Sequence, residues 1–277
     1  MEQLPRLKAR IASLEELRDL IGALRAMAGA RVQEAQEALA GIRRYAQVVE
    51  RAIAENAALL SRTSVSRRAA PVDRGILIVV TSEHGFTGAF NDRLIARAQE
   101  EQRPDLRLGI VGRRGAVLAE EAGIEVDWSV PMATHIGGVP TIARRVADRL
   151  AAVSTARIVF AAYRTGGQYE IEARDILPLD PKLLRRMEHV EPPLHQLEPY
   201  VLLERLSDEY LFAEVTHALM ESLASENGAR LQVMSAADHN IGDKLETLGR
   251  RHHHLRQEAI TAELLDVVIG AEAVNGG

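Results

Sequence analysis

Arg256-Gln257-Glu258-Ala259-Ile260-Thr261-Ala262-Glu263-Leu264-Leu265-Asp266, followed by Val267-Val268-Ile269-Gly270-Ala271-Glu272-Ala273, closes a C-terminal arm, residues 200–274, whose periodicity decides the fold. Stepping alternately by four and three from Leu206 meets Tyr210, Ala213, His217, Met220, Ala224, Asn227, Leu231, Met234, Asp238, Ile241, Leu245, Leu248, His252 and Leu255. Only His217, Asn227, Asp238 and His252 interrupt the apolar run. A 3.5-residue repeat held this long is a coiled-coil seam, because a compact domain rarely needs so long a single stripe. The arm reads as one long helix in need of a partner.

The partner lies at the other end of the chain. From Leu4 the same step meets Leu7, Ile11, Leu14, Arg18, Ile21, Arg25, Ala28, Val32, Ala35, Leu39, Ile42, Ala46, Val49 and Ile53. The two exceptions are arginines, whose stems can lie along a seam while the guanidinium reaches water. As a helix over residues 2–60 this arm would be about 90 Å long. Gly22 and Gly29 sit one heptad apart, a spacing expected to admit a close neighbour. Two terminal helices with matching seams pair most simply with each other, giving an antiparallel coiled coil projecting from a globular head.

The middle of the chain has a different pattern. Residues 75–82, 106–111 and 156–163 are apolar runs of the kind that form strands buried on both faces. Residues 168–177 alternate, Tyr169, Ile171 and Ala173 against Glu170, Glu172 and Arg174, as expected of a half-exposed antiparallel edge strand. Helices are expected over 91–102, 115–122 and 139–153. Strands separated by helices indicate a small, largely parallel α/β domain. Residues 61–74 read as a flexible polar loop, and 178–199, with five prolines, as an extended connector. The expected organisation is an N-terminal coiled-coil helix over 1–62, an α/β head over 75–178 and a C-terminal coiled-coil helix over 200–277.

Composition narrows the function. A net charge of −5 and a pI near 6.0 provide no electrostatic footprint for nucleic acid. The chain has no cysteine, which excludes disulfides, thiolate chemistry and Cys-based metal sites. Neither a signal peptide nor a bilayer-spanning run of about 20 apolar residues is legible. The chain therefore reads as soluble, with membrane attachment only through partners. The loop His84-Gly85-Phe86-Thr87-Gly88-Ala89-Phe90-Asn91 could cradle a phosphate, yet fits equally as a tight turn and cap; it is neither a dinucleotide fingerprint nor a P-loop. Gly112-Arg113-Arg114-Gly115 could bind an anion or form a turn with two solvated arginines. His252-His253-His254 on a helix point about 100° apart and cannot converge on one ion. No catalytic constellation, cofactor site or metal site can be assembled. Beyond Arg256 the chain turns strongly apolar, so the tip either presents a contact surface for another protein or folds against the head.

Here the residues resemble a known family. Ile260-Thr261-Ala262-Glu263-Leu264-Leu265-Asp266 with Gly270-Ala271-Glu272-Ala273 is similar to the C-terminal signature of the F-type ATP synthase gamma subunit family. Arg256-Gln257, Ser225-Glu226-Asn227-Gly228-Ala229-Arg230-Leu231 and Ala236-Ala237-Asp238-His239-Asn240 are also similar to it. So is Thr81 to Asn91, where the family has a strand and a G-L-C-G-x-x-N loop. The resemblance implies an antiparallel coiled coil with a Rossmann-like α/β head that binds no nucleotide or other cofactor. It implies a non-catalytic central shaft, turning within a ring of alpha and beta subunits and seated with the epsilon subunit on the c-subunit ring. It places the complex at the cytoplasmic face of the inner membrane. Contacts with the beta-subunit catch loop and sleeve would fall on Arg256, Gln257, Thr261, Glu263, Leu264 and Val268, with Arg25 and Arg31 on the opposite helix. The N-terminal segment departs from the family, since Asp19 and Gly22 replace lysines and Arg31 alone keeps a basic charge at a family lysine position. That divergence points to an alternative rotary complex, sodium-translocating in one reading. The competing classes are a nucleotide-binding α/β protein with a helical dimerisation hairpin, and a coiled-coil adaptor.

Overall fold

The computed structural model describes residues 3–60, 74–180 and 196–275. Residues 61–73 of the expected loop and 181–195 of the expected connector lie outside the described residues. Helix α1 spans Gln3–Leu60 and the last helix, α5, spans Pro199–Asn275. Between them come β1 (Gly75–Val80), α2 (Phe90–Glu101), β2 (Leu106–Val111), α3 (Arg113–Glu121), β3 (Trp128–Val130), α4 (Val139–Leu150), β4 (Ala156–Tyr163) and β5 (Tyr169–Leu177). The chain divides into two compact units, residues 1–27 with 232–277, and residues 28–231.

The larger unit is built on a five-stranded sheet of order β3-β2-β1-β4-β5. All pairs are parallel except β4 with β5, which are antiparallel at the edge, as the alternation of 168–177 predicts. The tight reversal between β4 and β5 uses Gly166 and Gly167, both at positive φ, where other residues would be strained. Strand β3 escapes a reading of the sequence because three residues are too few to show a period. It is held by Trp128, whose ring packs over Gly109 of β2 so closely that a Cβ there would lie 2.1 Å from it.

Period-two alternation splits the sheet residues between two cores. Ile76, Ile78, Val80, Ile158, Phe160 and Ala162 join Val139, Val146 and Leu150 of α4, Ala35 and Leu39 of α1, and Leu211 to Ala224 of α5. Leu77, Val79, Leu108, Ile110 and Val159 face Phe90, Leu94 and Ala98 of α2 and Ala119 of α3. Covering both faces is what fully apolar parallel strands require. Within this unit α5 is the central helix, and no residue from Leu211 to Leu231 is exposed.

The smaller unit pairs the first turns of α1 with the last of α5. Ile21, Met234 and Ile241 form its buried core, with Leu14, Leu24, Val233, Ala237 and Leu245 packed around them. The order is antiparallel, and every apolar seam position of α1 from Leu4 to Ile53 is buried or half-buried, whereas Arg18 and Arg25 are exposed. The expectation for the glycines is corrected: nothing lies within 4 Å of a Cβ added at Gly22, Gly29 or Gly41. Each falls one residue beside a seam position (21, 28, 42), so it flanks the contact and does not enter it.

Candidate functional site

The tip of α5 follows from unequal helix lengths. In the smaller unit Leu4, Leu7, Ile11 and Leu14 are half-buried, as are Leu245, Leu248, His252 and Leu255 opposite. Helix α1 starts at Gln3, and α5 continues past Leu255 for five more turns. From Ile260 every described side chain is exposed: Ile260 47%, Leu264 61%, Leu265 56% and Val268 54%. Ile260, Leu264 and Val268 recur every four residues and so share a face. Arg256, Gln257, Thr261 and Glu263 are exposed beside them. Thr261 Oγ1 donates to the Gln257 carbonyl at 2.9 Å, so its hydroxyl is bonded back along its own helix. Six of the eight expected contact residues are thus gathered on the tip.

The other two are not. Arg25 Nη1 donates to Asp238 Oδ2 at 3.0 Å, and Arg18 Nε to Oδ1 of the same carboxylate at 3.0 Å. Hydrogen bonding from Arg18 is the main reason the Asp238 carboxyl is held below its ordinary pKa. Arg31 is half-buried in the larger unit and acts on Glu226, favouring its charged form. Both arginines serve carboxylates within the chain.

The second place where function could reside is the crevice beyond the carboxyl ends of β1 and β4. There the strand order reverses, and open α/β sheets bind ligands at such a point. In this chain α5 fills it. Pairing of β1 with β4 ends at Val79 and Val159, leaving the next groups of β4 without a strand partner on the β1 side. Ser222 Oγ accepts from Ala161 N at 3.0 Å and Ser225 Oγ donates to Ala161 O at 2.9 Å. Glu221 accepts from Tyr163 N at 2.9 Å and from Arg43 at 2.8 Å. Three helix side chains thereby replace the missing strand. His217, one turn before Glu221 and edge-on to Phe160, is shifted by burial toward its neutral form.

Arg230 ties the same helix to the loop after β1. It donates to Gly85 O at 3.2 and 3.3 Å, to Asn227 Oδ1 at 3.1 Å and to Glu226 Oε1 at 2.6 Å. Burial nevertheless pushes the Glu226 carboxyl up to about 7, against the opposing pull of Arg230. The loop therefore presents carbonyls of His84 and Gly85 to the Arg230 guanidinium. Asn91 does not cap α2; its amide accepts from Ser82 N at 2.9 Å and donates to Ser82 Oγ at 2.8 Å, closing the end of β1. The N-terminus of α3, where an anion could sit, is taken by the Glu83 carboxylate, which accepts from Arg113 N at 3.3 Å and Met132 N at 2.8 Å and pairs with Arg113 Nε at 3.0 Å. Of the two loops that could hold an anion in the sequence, the one at α3 is filled by Glu83, and the one after β1 is bonded through its Gly85 carbonyl by Arg230. Sequence reasoning missed this network. Its signal was a helical stretch, Glu221 to Arg230, carrying serines and charges on several faces where a two-stranded seam needs only one apolar stripe.

Among the described residues no cluster of three or more His, Cys, Asp or Glu could hold a metal ion, and no helix is long and apolar enough to cross a membrane. Comparison with known proteins places residues 3–274 in a family model described as ATP synthase. The chain is 27% identical over 292 residues to the ATP synthase gamma chain of Geobacter metallireducens, covering 100% of both chains. It is 29% identical over 293 residues to that of Paracoccus denitrificans, covering 99% of this chain and 100% of the other. Among solved structures, a chain of the central stalk and c-ring of the Tetrahymena thermophila mitochondrial ATP synthase matches with a TM-score of 0.58 at 20% identity, over 79% of this chain and 99% of that one. A chain of the Euglena gracilis mitochondrial ATP synthase matches with a TM-score of 0.54 at 18% identity, over 90% and 96%. These two structural matches bear on the fold.

Proposed function

Because the chain belongs to the ATP synthase gamma chain family, we propose that it is the central rotary shaft of a membrane-bound F-type ATP synthase or ATPase. The observation that carries the reading is the bare tip of α5, an exposed apolar stripe on a helix that outlasts its partner. An apolar surface of this kind needs a protein neighbour, and an enclosing ring of alpha and beta subunits supplies one. The tip residues Arg256, Gln257, Thr261, Glu263, Leu264 and Val268 work against the beta-subunit catch loops and the sleeve. The α/β unit is seated with the epsilon subunit on the c-subunit ring, and the chain meets the cytoplasmic face of the inner membrane only through that complex. A shaft can shift a catalytic equilibrium only by contacting the ring's conformational states differently, and exposed side chains at the tip are the means. The chain itself performs no chemistry.

Arg25 enters the reading through its pair with Asp238, which its contact with the ring would have to open, and Arg31 through its electrostatic pull on Glu226. The departures at Asp19 and Gly22 support the finer proposal of an alternative complex, for which sodium stimulation of ATP hydrolysis by the assembled enzyme is the measurement. The central test is assembly. Co-expression with alpha and beta subunits should give an ATPase whose formation needs this chain, and Thr261→Ala or Glu263→Ala should lower coupled turnover with the helix content unchanged. An equally active alpha–beta complex formed without the chain would overturn the reading.

A further inference from the structure

The two edges of the sheet are unlike. Strand β3 offers three residues, whereas β5 offers nine, and no described strand pairs with its outer side. In an antiparallel ladder successive residues bond to alternate sides. Arg164 N donates to Gln168 O at 2.7 Å, so Arg164 faces β5, and by alternation Ala162 and Phe160 bond to Glu170 and Glu172. Ala161 and Tyr163 use their backbone groups on the other side, toward α5. Their partners in register, Ile171 and Tyr169, and after them Ala173, therefore point an N–H and a C=O each outward, where no described strand meets them. Edge strands of soluble sheets are commonly blunted by a bulge, a proline or charge. From Tyr169 to Arg174 the ladder of β5 is regular, its irregularity lying at Ala156/Arg157. Its charges answer one another, Arg164 with Glu170 and Glu172 at 2.7 and 3.2 Å, and Arg174 with Glu172 and Glu214 at 3.1 Å. On the opposite face Tyr169, Ile171 and Ala173 are half-buried against the core under α2. Arg93 of α2 lies over the Tyr169 ring at 4.8 Å, is exposed, and has no carboxylate partner among the described residues.

We propose that β5 and α2 form a strand-addition site for an extended, acidic segment of a partner protein. The segment lies beside β5 as a further strand, and its backbone takes up the outward groups of Tyr169, Ile171 and Ala173, which gives affinity without regard to sequence. Selectivity comes from the side chains, which alternate between the two faces. Those on the α2 face lie beside Tyr169 and Ile171 and are apolar, except that a carboxylate level with Tyr169 reaches Arg93. Those on the other face meet the paired charges of Glu170, Glu172 and Arg174 and are polar. Arg93 sets the sign of the partner's charge, because a basic segment would bring a second cation to an exposed guanidinium that no described acid offsets. The site belongs to the α/β unit and is independent of the contacts proposed for the tip of α5.

The test uses the full-length chain and two short blocked peptides that alternate valine with threonine, one carrying a central aspartate and the other a central lysine. Hydrogen exchange read residue by residue should show fast amides at Tyr169, Ile171 and Ala173 in the free chain, and slow ones at Glu170 and Glu172, which bond to β4. The aspartate peptide should slow the fast amides and bind about fivefold more tightly than the lysine peptide at low salt. Ala173→Pro removes one outward N–H, keeps the bonds to β4 and should weaken both peptides alike. Arg93→Glu changes an exposed side chain outside the sheet and should reverse the preference between the peptides. Outward amides that are slow without peptide would mean that the chain itself or a second copy already covers the edge, and would overturn the inference. So would fast exchange with the aspartate peptide in excess, or an unchanged preference in Arg93→Glu.

Discussion

Replacing Arg230 with methionine keeps the stem length and removes the guanidinium that joins α5 to the loop after β1. Arg230 is only 8% exposed, and Glu226, its partner at 2.6 Å, is 4% exposed. In the variant the carboxylate keeps the weaker help of Arg31 and still faces the repulsion of Glu83. Breaking a buried pair from one side costs about 3–5 kcal/mol when the remaining charge cannot escape. The effect should depend on pH in a definite sense. The Glu226 carboxyl is raised from 4.5 to about 7 in the folded chain, so between those values the native state binds the extra proton and stability falls as pH rises. Removing Arg230 raises that carboxyl further and deepens the loss at the alkaline end. The variant should therefore lose about 3–5 kcal/mol at pH 8. At pH 5 the carboxyl is neutral, and the loss should shrink to the roughly 1–3 kcal/mol expected for orphaned carbonyl and amide acceptors. Urea unfolding followed by the fluorescence of Trp128, the only tryptophan and buried in the larger unit, reads both values. A second change, Glu226→Gln, should recover most of the alkaline loss. Equal losses at the two pH values, or a loss below about 1 kcal/mol at pH 8, would refute the assignment of this pair.

Two further outcomes follow from the glycines. Gly22→Ala has open space around the new methyl and helical backbone beneath it, so it should stabilise the chain by about 0.5–1 kcal/mol, seen as a higher urea midpoint; a loss would show that a close neighbour had been overlooked. Gly109→Ala would place its methyl inside the Trp128 ring, so β3 must move; a loss of about 1–3 kcal/mol with a red-shifted tryptophan emission is expected, and native-like emission would contradict the packing.

The legible parts of this fold are those in which one periodicity governs a long run. Both seams were readable because a coiled coil needs a single stripe, and position after position from Leu4 to Ile53 repeats it. The three long parallel strands and the antiparallel edge were readable for the same reason, as short runs with the period of a sheet. The network of Glu221, Ser222, Ser225, Glu226 and Arg230 was not. Its residues answer to partners more than fifty residues away, Ala161, Tyr163 and the loop after β1, and no local pattern encodes such distances. The tip residues were found through family likeness, and the structure adds their exposure. Arg25 was named by the same likeness, and the structure adds its pair with Asp238 across the seam.

The burial of α5 within the larger unit has a consequence for biosynthesis. Leu211 to Ala224 cover a face of the sheet whose strands end at Leu177. A ribosome adding roughly 5–20 residues per second needs several seconds to proceed from one to the other. Through that interval Ile76, Ile78, Ile158 and Phe160 have only α4 and the early helix α1 to cover them. The nascent chain thus carries all the described strands and an unfinished core, and folding of this unit closes only once α5 has been made. A premature stop anywhere before Leu211 would release a protein with its sheet face open to other chains, a ready substrate for chaperones and proteases.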